Sequence, residues 1–236
     1  MIKTAFYSDI GGRTCNEDSV SVTERGGGTL LVLCDGLGGH GGGDAASGAA
    51  VELVCDNWNG AADPGHLESL LMAAHEKICS MQTPACKMKS TAVALALNGG
   101  AAAWAYAGDS RLYHFSDGEL AWQTRDHSAS QVAVFLGEIT TEQIRFHADR
   151  SRIFRALGLE SELSIDKDTE VLSRGRHAFL LCSDGFWEYV LEDEMKAELA
   201  RAASPDEWIA SMRKILASRA PEDNDNNTAA AAWIDI

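Results

Sequence analysis

Four short acidic motifs are the parts of this chain whose residue types could do chemistry. They are Cys15-Asn16-Glu17-Asp18, Cys34-Asp35-Gly36, Ser183-Asp184-Gly185 and Asp225-Asn226. Asp35 follows the apolar run 30–33 and Asp184 follows the apolar run 178–181, and runs of this length predict buried strands. The carboxylates at these strand ends are therefore expected to face a shared cleft.

Carboxylates that gather in one cleft repel one another by several kcal/mol at an effective dielectric constant of about 20. Bound cations or protonation relieve that repulsion, and hard oxygen ligands favour Mg²⁺ or Mn²⁺ over zinc. A single Asp-Gly pair is more often only a turn. The four motifs together predict a divalent-cation site.

The composition is that of an acidic globular protein. The 236 residues are 45% hydrophobic, and 35 acidic residues against 20 basic ones give a net charge of -15. No run of Lys or Arg is present, which argues against a nucleic-acid surface. The sequence shows no membrane-length apolar stretch and no signal-peptide pattern at its N-terminus.

The six cysteines form no Cys-x-x-Cys pair. Cys34 and Cys182 lie inside apolar runs, where a thiol behaves as a small hydrophobic group. We therefore expect reduced, structural cysteines in a cytoplasmic protein.

Short apolar runs joined by Gly or Asp-Gly turns predict that hairpins and antiparallel sheets carry these motifs. The predicted strands are Thr4–Ser8, Ser19–Thr23, Thr29–Cys34, Thr91–Leu97, Ala101–Ala107, Arg111–Phe115, Thr169–Leu172, Ala178–Cys182 and Ala229–Ile234. Their order is not readable from the sequence.

Three stretches have helical spacing. The first follows Asp44, a predicted N-cap, and the second is an apolar stripe from Leu67 to Met81. The third follows Ser204, with Pro205 at the first helical position and Glu207 at the third. Blocks of strands followed by helix pairs favour an α+β architecture.

The chemical motifs also occur in a specific order. They run Arg13-Thr14-Cys15-Asn16-Glu17-Asp18, Asp35-Gly36-Leu37-Gly38-Gly39-His40, Ser90-Thr91, Gly108-Asp109-Ser110-Arg111-Leu112-Tyr113, Asp126-His127-Ser128, Ser183-Asp184-Gly185 and Asp225-Asn226-Asn227-Thr228. In this order they resemble the metal-dependent Ser/Thr protein phosphatases of type 2C, in their compact bacterial form, over residues 4–234. The resemblance implies a single catalytic domain over residues 1–236. It also implies a four-layer α-β-β-α sandwich with two antiparallel β-sheets flanked by helices.

The resemblance implies a ligand role for several acidic residues. Asp35 is similar to the residue that bridges two metal ions, and the Gly36 carbonyl would bind the second ion. Asp184 and Asp225 would complete the protein ligands of the first ion.

The remaining motif residues would support these ligands. Glu17 would serve the second ion directly or through water, and Asp18 would orient water in the outer shell. Asp109, together with Asp184, matches the position of a third, weaker ion in bacterial members. Arg13 is similar to the phosphate-binding arginine of the family.

The physical chemistry of such a site is simple. Two cations a few ångströms apart lower the pKa of a bridging water from about 16 toward 7. The resulting hydroxide attacks phosphorus, so no Ser or Cys nucleophile is needed. The planar guanidinium of Arg13 would hold two phosphate oxygens. The alternative for Arg13 is a surface salt bridge with Glu17 or Asp18.

The loop Leu37–Gly43 contains five glycines. It lacks the lysine of a nucleotide-binding P-loop, so we expect its backbone to pass close to the metals instead. Many animal members of the family place a histidine where this chain has Leu37, which leaves the leaving-group acid unassigned. We interpret His40 as a structural loop residue and predict that His127 orders its loop through hydrogen bonds.

Residues 128–158 resemble the flap of the family, which borders the cleft and varies in substrate recognition. The segment contains four arginines in an otherwise acidic protein. One hypothesis is that these arginines contact the acidic surface of a phosphorylated partner, and ordinary solvated side chains are the default. They are Arg145, Arg150, Arg152 and Arg155.

The resemblance implies hydrolysis of phosphoserine and phosphothreonine in proteins with two or three Mn²⁺ or Mg²⁺ ions. We expect a cytoplasmic monomer that opposes a bacterial Ser/Thr kinase, without nucleic-acid or membrane partners and without an appended sensor. One alternative is an inactive module that binds phosphoproteins, against which the retained motif residues argue. Another is a phosphatase of small phosphoesters, which the sequence does not separate from the first.

Overall fold

The computed structural model describes residues 2–37, 42–159 and 162–236. The strands are β1 (Lys3–Asp9), β2 (Asp18–Arg25), β3 (Gly28–Leu37), β4 (Lys89–Ser90), β5 (Ala92–Asn98), β6 (Ala101–Ala107), β7 (Arg111–Ser116), β8 (Glu119–Gln123), β9 (Asp166–Val171), β10 (Arg176–Cys182) and β11 (Asn227–Asp235). The helices are α1 (Gly43–Asn57), α2 (Pro64–Met81), α3 (Ala129–Phe135), α4 (Asp184–Trp187), α5 (Glu192–Arg201) and α6 (Pro205–Arg219), and a 3-10 helix spans Thr141–Phe146.

Two antiparallel sheets form the centre of the fold. One sheet has the strand order β1-β11-β10-β7-β8, and the other has the order β2-β3-β5-β6-β9 with β4 beside β3. Helices α1 and α2 pack on the second sheet, while α5 and α6 pack on the first. The predicted α-β-β-α sandwich is therefore confirmed.

Strand β3 shows why the acidic motif at its end is held firmly. Leu31 and Leu33 point into the core between the two sheets. Leu30, Val32 and Cys34 alternate with them and point into the core under α1 and α2. Because both faces of the strand are buried, its sequence is continuously apolar.

All nine predicted strands are present, and two of them have a bound that shifts by three residues. Strand β3 continues past the predicted end at Cys34 to Leu37, because Gly36 and Leu37 pair with β4. The strand predicted at Thr169–Leu172 begins earlier, at Asp166, because its exposed charged residues give no apolar signal. The short strands β4 and β8 were not predicted. Strand β8 lies at the edge of its sheet and is only partly buried, so its sequence lacks the pattern of a core strand.

The helix ends are partly as predicted. Ser204 caps α6 by accepting a hydrogen bond from the Glu207 N–H, which confirms the predicted N-cap. The predicted N-cap Asp44 is wrong, because α1 begins at Gly43 and Gly42 precedes it with a φ of 139° that favours glycine. Asp44 lies instead in the first turn, where its negative charge suits the helix dipole.

Within the described ranges, no helix combines the length and the apolarity needed to cross a bilayer. Cys34 and Cys182 are fully buried, as predicted from their apolar runs.

Candidate active site

A cleft of about 710 Å³ opens at the end of the sandwich where β3 and α4 approach the loop before β11. The predicted metal ligands converge on it from distant parts of the chain. The described residues that line it include one basic residue, Arg13, and six acidic ones, which are Glu17, Asp35, Asp44, Asp109, Asp184 and Asp225.

The backbone of Asp35 is fixed by the Ser90-Thr91 motif. The Asp35 N–H donates to Thr91 Oγ1 at 3.0 Å, and its carbonyl accepts from Thr91 N at 2.8 Å and from Ser90 Oγ at 2.9 Å. Thr91 Oγ1 also lies 2.7 Å from Ser110 Oγ. These contacts explain why the motif belongs to the site although it carries no charge.

The glycines that follow Asp35 and Asp184 allow close backbone contacts. A Cβ on Gly36 would lie 2.1 Å from the Gly43 carbonyl oxygen, and a Cβ on Gly185 would lie 2.1 Å from that of Asn226. Any larger residue would push the end of its element out of place. The two Asp-Gly pairs are thus packing sites at the cleft and not merely surface turns.

Asp18 lies directly opposite Asp35 in the register of β2 and β3. Side chains in opposite register positions are about 5 Å apart at Cβ, and like charges there are destabilising. Ser183 Oγ donates to Asp18 Oδ2 at 2.8 Å. The other oxygen, Oδ1, is buried and has no hydrogen-bond partner among the described residues.

Asn226 holds the loop that carries Glu17. Its Oδ1 accepts from the Glu17 N–H at 2.8 Å, and its Nδ2 donates to the carbonyls of Ile10 at 2.8 Å and Cys15 at 3.0 Å. The sequence placed Asn226 in a motif but did not predict this role. The only available signal was its position directly after Asp225.

Arg13 forms an ion pair with Asp225, with 2.7 Å between Nη2 and Oδ2. Both side chains are about half exposed at the mouth of the cleft, so the pair contributes little to stability. The alternative that Arg13 pairs with Glu17 or Asp18 is wrong. Asp225 lies across the cleft mouth from the chain segment of Arg13 and approaches it more closely than those neighbours in sequence.

The electrostatics of the cleft favour bound positive charge. Burial, followed by the charges of Asp18 and Asp184, raises the pKa of Asp35 well above the ordinary range of an aspartate. Burial, followed by the charge of Asp109, does the same for the pKa of Asp184. Burial also raises the pKa of Asp18 to about 6 and that of Asp109 to about 7. The carboxylates are too crowded to be ionised together without cations.

The donor set fits hard divalent cations. Every candidate side-chain ligand is a carboxylate, and among the described residues the buried Oδ1 of Asp18 has no hydrogen-bond partner. In the described ranges, however, no group of three or more acidic, histidine or cysteine side chains is drawn together closely enough to hold a metal ion. Arg13 pairs with Oδ2 of Asp225, and the other oxygen, Oδ1, accepts from the Asn226 N–H at 2.8 Å.

The structure separates the two predicted loop histidines. His127 Nδ1 accepts from the Gly108 N–H at 3.1 Å, and the His127 N–H donates to the Gly108 carbonyl at 2.9 Å. His127 therefore orders the loop before Asp109, as predicted. His40 lies outside the described residues.

The flap arginines do not form a common basic surface. Arg145 is buried and donates to both carboxylate oxygens of Glu192, which overturns the hypothesis that it meets a substrate. Arg150 pairs with Glu188. Of the four arginines, Arg152 is the one that is exposed and has no ion pair within the described part of the chain.

The remaining arginine, Arg155, pairs with Asp166 at 2.6 Å. Its guanidinium also lies 3.1 Å from His127 Nε2. Arg155 thus joins the flap to β9 and to the loop before Asp109.

Comparison with known proteins agrees with this fold. The sequence profile described as Protein phosphatase 2C matches residues 7–229, and the chain belongs to this family. It is 35% identical over 201 residues to the serine/threonine protein phosphatase PstP of Mycobacterium tuberculosis, and the match covers 82% of this chain but 38% of the length of PstP. It is 30% identical over 234 residues to a putative protein phosphatase 2C-type of Streptococcus pyogenes, with 94% of both chains covered.

A solved structure gives the same result for the fold. The catalytic domain of PstP in complex with two manganese ions matches this chain with a TM-score of 0.82 and 30% sequence identity, over 99% of each chain.

Proposed function

We propose that this chain hydrolyses phosphoserine and phosphothreonine in proteins with two Mn²⁺ or Mg²⁺ ions held in the cleft. The observation that carries the proposal is the crowding of Asp18, Asp35 and Asp184, whose pKa values are raised by burial and then by the charges of neighbouring carboxylates. Family membership and the two manganese ions of the PstP structure support the same conclusion.

The cleft residues divide into ligands and supports. Asp35, which projects from the clamped end of β3, would bridge the two ions, and the Gly36 carbonyl would bind one of them. Asp184 and Asp225 would bind the first ion, and Glu17 would bind the second directly or through water. Bound ions would supply Lewis acidity and an activated water for attack on phosphorus.

Asp18 and Asp109 would act beside these ligands. The buried Oδ1 of Asp18 has no protein partner in the described ranges and would accept a hydrogen bond from an ordered water. Asp109 would share a third, weaker ion with Asp184.

Arg13 would bind the phosphate group of the substrate. It is the only basic residue among the described residues that line the cleft, and its planar fork matches two phosphate oxygens. A cation at Asp225 would compete with Arg13 for the same carboxylate. The Arg13–Asp225 pair therefore keeps the guanidinium at the cleft mouth until Asp225 is taken as a ligand.

The substrate is proposed to be a protein because the flap borders the cleft. Ser151 and Ile153 of the flap line the cleft beside Asp184, so a bound phosphopeptide would contact the flap. Such substrates require a Ser/Thr kinase to form them. An inactive phosphoprotein-binding module would have no need for several uncompensated carboxylates.

A single assay tests this function. Purified protein is given a phosphothreonine peptide with Mn²⁺, with excess chelator, and as the variants Asp35→Ala and Asp184→Asn. We expect turnover only for the wild type with Mn²⁺. Turnover that survives chelation, or that persists undiminished in both variants, would contradict the proposal. A parallel assay with a small phosphoester separates a protein phosphatase from a general one.

A further inference from the structure

A network of buried charges lies directly behind the cleft. Arg111 donates from Nε and Nη2 to the two carboxylate oxygens of Asp126, both at 2.8 Å. Arg145 donates from Nη2 to the two oxygens of Glu192, at 2.8 and 2.6 Å. Arg111 Nη1 lies 3.6 Å from Glu192, which joins the two pairs. The side chains of Arg111 and Asp126 are each 2% exposed and that of Arg145 is 3% exposed, whereas that of Glu192 is 22% exposed.

Trp187 connects this network to the carboxylates of the cleft. The guanidinium of Arg111 lies 3.7 Å from the centre of the Trp187 ring. The indole N–H of Trp187 donates to the Asp109 carbonyl at 3.0 Å, and the Trp187 carbonyl accepts from Arg145 Nη1 at 2.7 Å. Trp187 is the last residue of the short helix α4, whose first residue is Asp184. Trp187 thus contacts Arg111 and the Asp109 backbone through its side chain, and Arg145 through its backbone carbonyl.

The network also includes the flap. Arg145 belongs to the 3-10 helix Thr141–Phe146, so its contacts attach the flap to α4 and to Glu192 at the start of α5. At the other end of the network, the Asp126 N–H donates at 3.3 Å to Oε1 of Gln131, on the flap helix α3. The flap therefore contacts the network at two points.

Stability alone does not explain these buried charges. Replacement of a buried ion pair by apolar residues of similar volume is often neutral or stabilising. An apolar side chain at position 145 could pack against the same elements. It could not, however, donate to the Trp187 carbonyl and to Glu192 at once, and those contacts set the orientation of α4 relative to the flap.

We infer that Arg145 is a positioning residue for the Asp109–Asp184 pair, acting through Trp187 and Glu192 and without contact to the substrate. By holding the 3-10 helix of the flap on α4, Arg145 keeps the two carboxylates aligned for a shared cation. The inference rests on the proposed function, since that cation is the third ion. Mutation of a residue that orients metal ligands without binding the metal itself lowers metal affinity by about 10- to 100-fold.

The test compares Arg145→Met with Arg152→Met. Both variants remove one positive charge from the flap, but Arg152 is exposed and lies outside the network. Mn²⁺ binding is followed by titration calorimetry, and Asp109→Asn identifies the binding step that needs the Asp109–Asp184 pair. We expect this step to weaken about 10- to 100-fold in Arg145→Met and to stay within about twofold of wild type in Arg152→Met.

A second readout needs no metal. Hydrogen exchange of the metal-free protein should become faster in Arg145→Met at the backbone amides of Trp187 and Glu188 as well as in the flap. A role confined to packing of the flap would leave the amides of α4 unchanged. Circular dichroism checks that each variant is folded.

The outcomes separate the inference from the proposed function. Wild-type protein that binds Mn²⁺, together with an Arg145→Met variant that binds it equally well at every step, would overturn the inference alone. If wild-type protein binds no Mn²⁺, the proposed function fails and the inference with it. Should Arg145→Met not fold, Glu192→Gln removes the same ion pair with little change of shape. It should then weaken the same binding step, and unchanged binding would overturn the inference.

Discussion

Two groups of charged residues lie side by side in this protein, and they differ in how their charge is balanced. Behind the cleft, Arg111 is paired with Asp126 and Arg145 with Glu192, so each charge has a partner at hydrogen-bond distance. The carboxylates that line the cleft crowd one another, and among the described lining residues Arg13, at the mouth, is the one basic residue. In the paired group the protein itself balances the charge, whereas the charge of the cleft carboxylates is balanced only when cations bind.

This difference indicates which residues hold the structure and which perform chemistry. Burial of a charge is unfavourable wherever it occurs. Where the protein supplies the counter-charge, the result is a rigid support. Where it does not, burial and then the charges of neighbouring carboxylates raise the pKa values of Asp35 and Asp184, and a ligand of opposite charge can stabilise their ionised forms.

The largest effect is expected when a carboxylate of the cleft is removed. Asp184→Asn should lower kcat/KM for a phosphothreonine peptide by at least about 10³-fold, because a metal ion supplies several kcal/mol of transition-state stabilisation. The same variant should be at least as stable as wild type without metal, since one crowded carboxylate is removed. Steady-state kinetics and urea unfolding in chelator measure the two effects. Loss of stability without loss of activity would contradict the comparison.

The next largest effect is expected when one member of a buried ion pair is removed. Arg111→Met should lower the free energy of unfolding by about 3 kcal/mol, because it leaves Asp126 buried without its partner. The double variant Arg111→Met with Asp126→Leu should recover part of that loss. Urea unfolding of both variants measures the difference. Equal stability of Arg111→Met and wild type would show that the pair is not a support.

Much of this architecture could be predicted from the sequence. The strand Ala101–Ala107 has the predicted bounds, and the acidic motifs do reach one cleft, because apolar runs and their terminal residues are local features. The flap helix α3 and strand β8 were not predicted. Residues 132–136 form a continuous apolar run that lacks helical spacing, and β8 is a partly buried edge strand without a core pattern.

The support network could not be predicted either. Arg145 and Glu192 are 47 residues apart, and nothing local distinguishes Arg145 from the exposed Arg152. The interpretation of Arg145 as a residue that meets the substrate was wrong for this reason. Pairing between distant charges depends on how the flap packs on α4, which no single stretch of sequence encodes.

The third prediction concerns the stabilisation of the folded protein by bound Mn²⁺. Mn²⁺ at about 100 times its dissociation constant should stabilise the wild type by about 2.7 kcal/mol, because only the folded cleft gathers the carboxylates. Asp35→Asn should abolish this gain, whereas Arg152→Met should retain it. Thermal unfolding with and without Mn²⁺ measures it. Equal stabilisation of wild type and Asp35→Asn would place the ion elsewhere.

The smallest effect concerns two buried histidines, His114 and His177, that are hydrogen-bonded to each other. His114 Nε2 lies 2.9 Å from His177 Nδ1, and burial lowers the pKa of His114 to about 4. The unfolded chain, with a histidine pKa of about 6.5, then binds more protons between these values, so stability falls as the pH falls. From pH 7 to pH 5 this group should contribute a loss of about 2 kcal/mol.

The variant His114→Phe isolates that contribution. Phenylalanine keeps a ring stacked on Phe179, which lies 4.3 Å from the His114 ring, but it cannot take up a proton. The difference in unfolding free energy between pH 7 and pH 5 should therefore be smaller in the variant than in wild type. Identical pH dependence of the two proteins would contradict the assigned shift.

The central claim is that the unbalanced carboxylates of the cleft are a cation site. Crystals grown with Mn²⁺ and measured near the manganese absorption edge test it most directly, since anomalous scattering locates the ions without reference to activity. We predict two strong peaks in the cleft, both in contact with the Asp35 carboxylate, and Arg13 released from Asp225. Crystals of active protein with no manganese peak beside Asp35 would contradict the claim.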